Sequence, residues 1–288
     1  MASRNTPGTS SAKLTKEERR KQAREAARLL QIEEAKRAKR NRIMVIVGVI
    51  VALALVATAV YLVLANGKKK EQSEAWDDFT PAASVFVDGT PGNVTDQGAV
   101  TFGSSLSAGT VNEGAPAVQI YFDYLCVHCN TLENEHSAEL SKLAEEGKIT
   151  LVLQPVGMMG DFSRIATGAL YYLAENAPEQ ALAFNNKVFS ELTAPLFDGS
   201  GATEPTAADA LRVAGEVGVP ADVLTGLEGV LNDGSYAGYA DLAYEQEQAN
   251  GMSGTPHVII DNHKLLNWPD IMTQLDAVIA GETPWDAS

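Results

Sequence analysis

The chain has two cysteines, Cys126 and Cys129, placed at a seam where the hydrophobic period changes. Upstream, Ala117-Val118-Gln119-Ile120-Tyr121-Phe122 is a largely apolar and aromatic run, the pattern of a central strand. Downstream, Cys129, Leu132, His136, Leu140 and Leu143 recur at three- and four-residue steps, a helical stripe that Gly147 stops. Ile149-Thr150-Leu151-Val152-Leu153 follows as a second buried strand. Strand, helix and strand in this order make a parallel, right-handed unit. Two cysteines this close together close too short a loop to restrict much chain entropy. A disulfide framework for a small secreted domain would use more cysteines at wider spacing. The pair therefore points to chemistry at the start of a helix.

The rest of the chain beyond residue 65 reads coarsely. Residues 66–80 are polar and read as a tether. Residues 81–116 are rich in Gly, Ser, Thr, Pro, Asn and Asp, with short strands expected at 84–87 and 99–102. From 161 to 251 the spacing is almost wholly helical, in segments near 161–175, 178–193, 206–217, 220–231 and 236–248. Pro178 and Pro220 stand near helix starts, and Gly or Asn-Asp-Gly lies between segments. Strands return at 257–260 and 263–266 around an Asp261-Asn262 turn, and a last helix runs from about 269 to 280. The order is that of an α/β sheet with an all-helical insertion.

Charge divides the chain. Residues 1–42 hold 13 Lys and Arg against 5 Asp and Glu, whereas residues 71–288 hold 6 against 32. Between them, residues 43–65 are 23 uncharged, mostly Val, Ile, Leu and Ala positions. As a helix this run would be roughly 34 Å long, enough for a hydrocarbon core of about 30 Å. A cleaved signal peptide would have a shorter basic region and a shorter apolar one. The expectation is a single transmembrane anchor, a basic cytoplasmic tail over 1–42 that is largely helical, and an acidic domain outside. Seven Lys and Arg in 24–42 outweigh Lys68, Lys69 and Lys70 on the far side. The tail fits contact with anionic lipid head groups or nucleic acid, or a solvated helix that only sets topology. The acidic outer domain argues against nucleic acid.

A thiol that titrates near 8.5 falls to roughly 3.5–7.5 at a helix N-terminus or beside a cation. Cys126 stands where the strand gives way to the helix, and His128 can add positive charge or a hydrogen bond. Cys126 is thus expected as the exposed nucleophile, and Cys129, on the apolar stripe, as the buried resolving thiol. A stabilised Cys126 thiolate would make the disulfide a stronger oxidant. Gly254-Thr255-Pro256 precedes the strand at 257–260. Proline is poorly tolerated inside strands, and a cis Thr255–Pro256 peptide is one explanation. A zinc or copper site from Cys126, Cys129 and one or two of His136, His257 and His263 is the main rival. Structural zinc usually takes four ligands, often as two pairs, so no metal is expected. His136 reads as a core histidine, and His257 and His263 as sheet residues. No phosphate loop or nucleophile elbow occurs, and no cofactor is expected.

Gly114-Ala115-Pro116, the run from Ile120 through Cys126-Val127-His128-Cys129, and Gly254-Thr255-Pro256 with its hairpin together resemble the DsbA-like thiol:disulfide oxidoreductases, in their membrane-anchored bacterial form. The resemblance covers about residues 98–282. It implies a thioredoxin-like fold over 98–288 with its insertion at about 161–251, a linker over 66–97, attack by Cys126 and resolution by Cys129. It also implies that Thr255 and a cis Pro256 lie against the disulfide and pair with extended substrate backbone. The implied partners are exported cysteine-containing proteins and a quinone-linked membrane reoxidase of the DsbB or vitamin K epoxide reductase type. Val127 stands where the family usually has proline. Ile120 stands where many thioredoxin-fold members keep a buried carboxylate. Asp123 is a candidate to take the Cys129 proton, the other reading being an exposed carboxylate at the strand end. Extracytoplasmic reductase or isomerase, and a metal-binding or client-holding module, are the alternative functions.

Overall fold

The structure is a computed structural model that describes residues 76–286. These belong to the second of two units into which the chain divides, residues 70–288. The expected cytoplasmic tail and the apolar run at 43–65 lie outside the described residues. No helix among the described residues is long and apolar enough to cross a membrane.

Six strands form one sheet: β1 (Trp76–Asp78), β2 (Val100–Phe102), β3 (Ala117–Phe122), β4 (Thr150–Pro155), β5 (His257–Ile260) and β6 (His263–Leu265), in the order β1-β6-β5-β3-β4-β2. Only β3 and β4 pair in parallel, and α1 (Val127–Glu145) joins them as the sequence predicts. The alternation of β3 divides the interior. Val118, Ile120 and Phe122 join the larger core with Cys129, Leu132 and Leu140 of α1, while Tyr121 joins Val156, Met252 and Ile259 in a smaller one. The β5–β6 hairpin turns on Asp261 and Asn262, both at positive φ (49° and 66°), where these residue types are tolerated.

The expected helical insertion is present as α2 (Asp161–Asn176), α3 (Ala181–Lys187), α4 (Ala194–Phe197), α5 (Ala207–Glu216), α6 (Ala221–Asp233) and α7 (Ala237–Ala249). Helix α2 is its hub and packs on α3, α5, α6 and α7. Between α3 and α4 the backbone widens into a π-helical turn, Val188–Thr193. Across it the Ala194 N–H donates to the Phe189 carbonyl, and the Asn130 side chain of α1 donates to the same oxygen at 3.1 Å. A last helix, α8 (Ile271–Ile279), follows a 3₁₀ turn.

Two expectations change. Residues 76–78, read as tether, form an edge strand on β6, and the Trp76 ring meets Trp285 edge-on at 5.5 Å. The sheet domain thus begins well before position 98. Residues 84–87 are not a strand: Gln246 of α7 accepts from the Val85 N–H, the Phe86 N–H bonds the Ser84 hydroxyl and the Val87 N–H the Val85 carbonyl. Phe86 is nevertheless buried in the main core.

Candidate active site

Cys126 is the N-cap of α1. Its N–H donates to the Asp123 carbonyl at 3.1 Å, and its carbonyl receives the Asn130 N–H at 2.9 Å. The sulfur stands 3.3 Å from the Thr255 carbonyl oxygen, across from the cis Thr255–Pro256 peptide. The loops after β3 and before β5 therefore meet at this cysteine. Glycine is needed close by: a Cβ at Gly160, ahead of α2, would lie 2.7 Å from Leu125 Cδ1.

The two thiols are driven apart. The Cys126 thiol is lowered to about 5, chiefly by a hydrogen bond from the Cys129 thiol, against a burial effect that raises it. The Thr255 side chain and the backbone N–H groups of Cys129 and His128 add to the lowering. Burial pushes the Cys129 thiol well up, and the neighbouring Cys126 sulfur pushes it further. Thr255 Oγ1 is buried without a well-aligned hydrogen bond, and it faces both sulfurs. Cys126 is less open than the sequence predicts. It is 6 % exposed and Cys129 is 0 % exposed, so a substrate reaches only a small window on the first sulfur. Both cysteines are free thiols in this structure.

His128 is exposed, with its ring 6.3 Å from that of Trp268, and its backbone N–H helps to lower the Cys126 thiol. Gly254, at φ 80°, opens the loop that Thr255 and Pro256 complete. Asp123 is not exposed at the strand end. It is wholly buried, and its carboxyl accepts from the N–H groups of Leu125 (2.8 Å), Met158 (2.9 Å) and Met159 (3.0 Å) and from the Ser163 hydroxyl. It thereby ties the active-site loop to the loop after β4 and to α2. Burial raises its pKa, against the pull of those donors.

The other histidines stand apart from the cysteines. His136 is half-buried beside Glu135. His257 is held neutral by burial, which lowers it to about 4. His263 bonds Asp78 at 3.1 Å and stacks on Trp285. No group of three or more His, Cys, Asp or Glu residues arranged to hold a metal ion occurs among the described residues.

The sequence reading passed over two buried acids. Glu133 of α1 and Glu247 of α7 are 3 % and 0 % exposed, and burial raises them to about 8 and about 7. Glu133 lies at a helical step from Cys129, which is the signal that could have marked it.

A family model described as thioredoxin matches residues 109–280, more than half of the chain. The chain belongs to the thioredoxin family. Among solved structures it is similar to the MdbA thiol-disulfide oxidoreductase from Actinomyces oris, at 27 % identity and a TM-score of 0.57, over 67 % of this chain and 90 % of that one. BdbD from Bacillus subtilis is 15 % identical with a TM-score of 0.54, over 71 % of this chain and 100 % of that one. DsbA from Mycobacterium tuberculosis is 23 % identical with a TM-score of 0.51, over 66 % and 96 %. The last two share the fold. No curated protein sequence matches the chain. The DsbA-like resemblance and the thioredoxin-like fold with its helical insertion both hold in this thioredoxin-family domain.

Proposed function

We propose that this thioredoxin-family protein oxidises cysteine pairs in exported proteins, through a mixed disulfide on Cys126. As an enzyme it is a thiol–disulfide oxidoreductase. The observation that carries the reading is the asymmetry of the two thiols at the start of α1, one lowered to about 5 and the other pushed well up. The acidic sulfur is the one with a window to solvent and the one beside Thr255 and Pro256. A stabilised thiolate favours the reduced protein, so its disulfide tends to pass to a substrate. The likeness to an Actinomyces oris thiol-disulfide oxidoreductase supports the same class.

The step balances simply. A substrate thiolate attacks Cys126 Sγ, the Cys126–Cys129 bond breaks, and Cys129 leaves with the electron pair. The second substrate thiolate then displaces Cys126 and closes the substrate disulfide. In this reading the Thr255–Pro256 loop pairs with extended substrate backbone. Two electrons remain on the Cys126–Cys129 dithiol, and a quinone-linked membrane reoxidase of the DsbB or vitamin K epoxide reductase type would remove them.

The charge asymmetry around residues 43–65 supports a single-pass membrane anchor with the tail in the cytoplasm and the domain outside. Protease added to spheroplasts should digest the acidic domain and spare the tail; the reverse pattern refutes this topology. For the chemistry, Cys129→Ser in the full-length chain should accumulate mixed disulfides with exported proteins, and Cys126→Ser should not. Equal trapping by both sinks the assignment. Equilibration with glutathione sets the direction: a potential well above the thioredoxin level of about −270 mV supports the oxidase, and one near it supports a reductase.

A further inference from the structure

The Thr255–Pro256 step that faces Cys126 sits in a loop whose two ends lie against one residue. The loop runs from Asn250, which caps the end of α7, to His257, the first residue of β5. At its far end His257 pairs across the sheet with Tyr121 of β3. At its near end the Asn250 side chain donates to the Tyr121 hydroxyl at 3.0 Å. Tyr121 is wholly buried, on the strand that leads into Cys126. The loop and the nucleophile are thus fixed from the same residue.

The middle of the loop has little else to hold it. Gly251, at φ 70°, turns the chain out of α7, and the Met252 N–H returns to the Glu247 carbonyl at 3.1 Å. Met252 packs with Tyr121, Val156 and Ile259 in the smaller core. Between Met252 and Pro256 the chain is Ser253-Gly254-Thr255, which brings no large apolar side chain to anchor it. Its place over the sulfur is therefore set from its ends.

Asn250 is used there for its side chain. Asparagine is favoured at helix ends when the backbone turns left-handed, but Asn250 has φ −74° and Gly251 takes the left-handed turn. The orientation of its amide is dictated by its neighbours. The Ala82 N–H can only donate, so it requires Oδ1, at 2.7 Å. Gln246 Nε2 donates to the same oxygen at 3.2 Å. The amide nitrogen is left to face Tyr121. Ala82 belongs to the segment between β1 and β2, so one amide joins that segment, α7 and β3. Burial raises the Tyr121 phenol to about 12, and it stays neutral through the range in which the thiols work.

We infer that Asn250 and Tyr121 are positioning residues: their side-chain hydrogen bond holds the Thr255–Pro256 step at its distance from Cys126. The inference deepens the oxidoreductase reading above and rests on it for what that distance serves. Both residues act through Thr255, whose carbonyl oxygen stands 3.3 Å from Cys126 Sγ and whose side chain helps to lower the thiol. Without the hydrogen bond the loop drifts from the sulfur. The thiolate then loses part of the Thr255 contribution, and substrate backbone meets a displaced loop.

The test titrates Cys126 in the reduced full-length protein, by alkylation rate against pH. Tyr121→Phe, Asn250→Ala and Thr255→Val are compared with wild type, together with each of the first two combined with the third. Tyr121→Phe keeps the ring in the smaller core and removes only the hydroxyl. It decides the matter even where Asn250→Ala, which also strips the Ala82 N–H of its acceptor, fails to fold. Wild-type Cys126 should be half-ionised at about 5. Tyr121→Phe and Asn250→Ala should each raise this by roughly half a unit, less than Thr255→Val does. On the Thr255→Val background neither should move it further, because the effect passes through Thr255. Both single variants should also raise KM for a cysteine-containing peptide by roughly threefold or more. A lowered melting temperature with a wild-type titration overturns the inference, since the hydrogen bond is then structural only. A shift that persists in full on the Thr255→Val background overturns it as well. A chain whose titrations follow the expectation but which exchanges no disulfide with the peptide overturns the oxidoreductase reading and not the positioning.

Discussion

Cys126 Sγ lies 3.3 Å from the carbonyl oxygen of Thr255, a contact between residues 129 positions apart in the chain. It joins the start of α1 to the loop before β5, and both sulfurs feel the Thr255 side chain. The tuning of the nucleophile is therefore divided between local sources, the Cys129 thiol first and the N–H groups at the helix start after it, and a distant one.

That division is separable. In the reduced protein Cys126 should be half-ionised at about 5. Thr255→Val removes a donor to the thiolate and should raise that value by roughly one unit. His128→Ala keeps the backbone N–H that assists Cys126 and should leave the titration nearly unchanged. Alkylation rate against pH reads both. A large shift in His128→Ala would show that the imidazole acts after all.

The same depressed thiol sets a pH dependence. An unfolded thiol ionises near 8.5, whereas native reduced Cys126 ionises at about 5. A depressed native pKa contributes stability that is fully present above the unfolded value and is lost as pH falls through the native one. The reduced protein should therefore melt above the oxidised protein at pH 7, with a margin that closes as pH falls toward about 5. Calorimetry of the two redox forms measures the margin. A margin of the same size at pH 4 and pH 7 would contradict the thiolate account.

Asp123 holds four donors in a fully buried position. Asp123→Ala leaves all four without an acceptor and should destabilise the domain by roughly 3–5 kcal/mol, as for other broken buried polar networks. Asp123→Asn keeps one acceptor oxygen but turns a donor toward N–H groups, so its loss should be smaller and still clear. Urea denaturation of both variants gives the order. A loss under about 1 kcal/mol in Asp123→Ala would mean that water replaces the carboxyl.

The order of elements was legible because period and punctuation act locally. The apolar run at 117–122, the helical stripe from Cys129 to Leu143 and the Asp261-Asn262 turn each declare themselves within a few residues. The active cysteines and the Thr255-Pro256 step were legible for the same reason, with the resemblance to link them. What failed to show was set by tertiary contact. Residues 84–87 are apolar enough for a strand, but Gln246 of α7 takes the Val85 N–H and the Ser84 hydroxyl that of Phe86. Residues 76–78 look polar and loose, yet the exposed edge of β6 gives them a partner. Asp123 and Glu247 look like surface acids in one dimension, because nothing in a sequence says which carboxyls a helical insertion will cover, whereas Glu133 is marked by its helical step from Cys129.

The edge strand has a consequence for domain boundaries. A fragment beginning at 98 lacks β1, and it also lacks Phe86 and Val94 from the main core. It should be less stable than a fragment beginning at 71 by several kcal/mol, given about 1.5–3 kcal/mol for each large apolar side chain buried. Parallel urea melts of the two fragments decide this. Equal midpoints would mean that residues 71–97 are an ornament on an already complete domain.

The buried carboxyls make stability fall with rising pH, opposite in sign to Cys126. Burial raises Glu247 from 4.5 to about 7, with the Asp123 charge adding to the rise and Lys264 opposing it. Glu133 rises to about 8 by burial alone, and Asp123 is raised in the same direction. The native protein thus holds protons that the unfolded chain has released. A raised native pKa contributes stability that is complete below the unfolded value near 4.5 and is lost as pH climbs through the native one. A Cys126→Ser, Cys129→Ser chain removes the thiols and isolates this effect. Its melting temperature should be highest near pH 5 and should fall by several degrees through the interval from about 7 to about 8. Adding Glu247→Gln should remove the earlier part of that fall, and adding Glu133→Gln the later part. A melting temperature that is level from pH 5 to pH 8.5 would mean that both acids ionise normally, and their burial would then have to be relieved in solution.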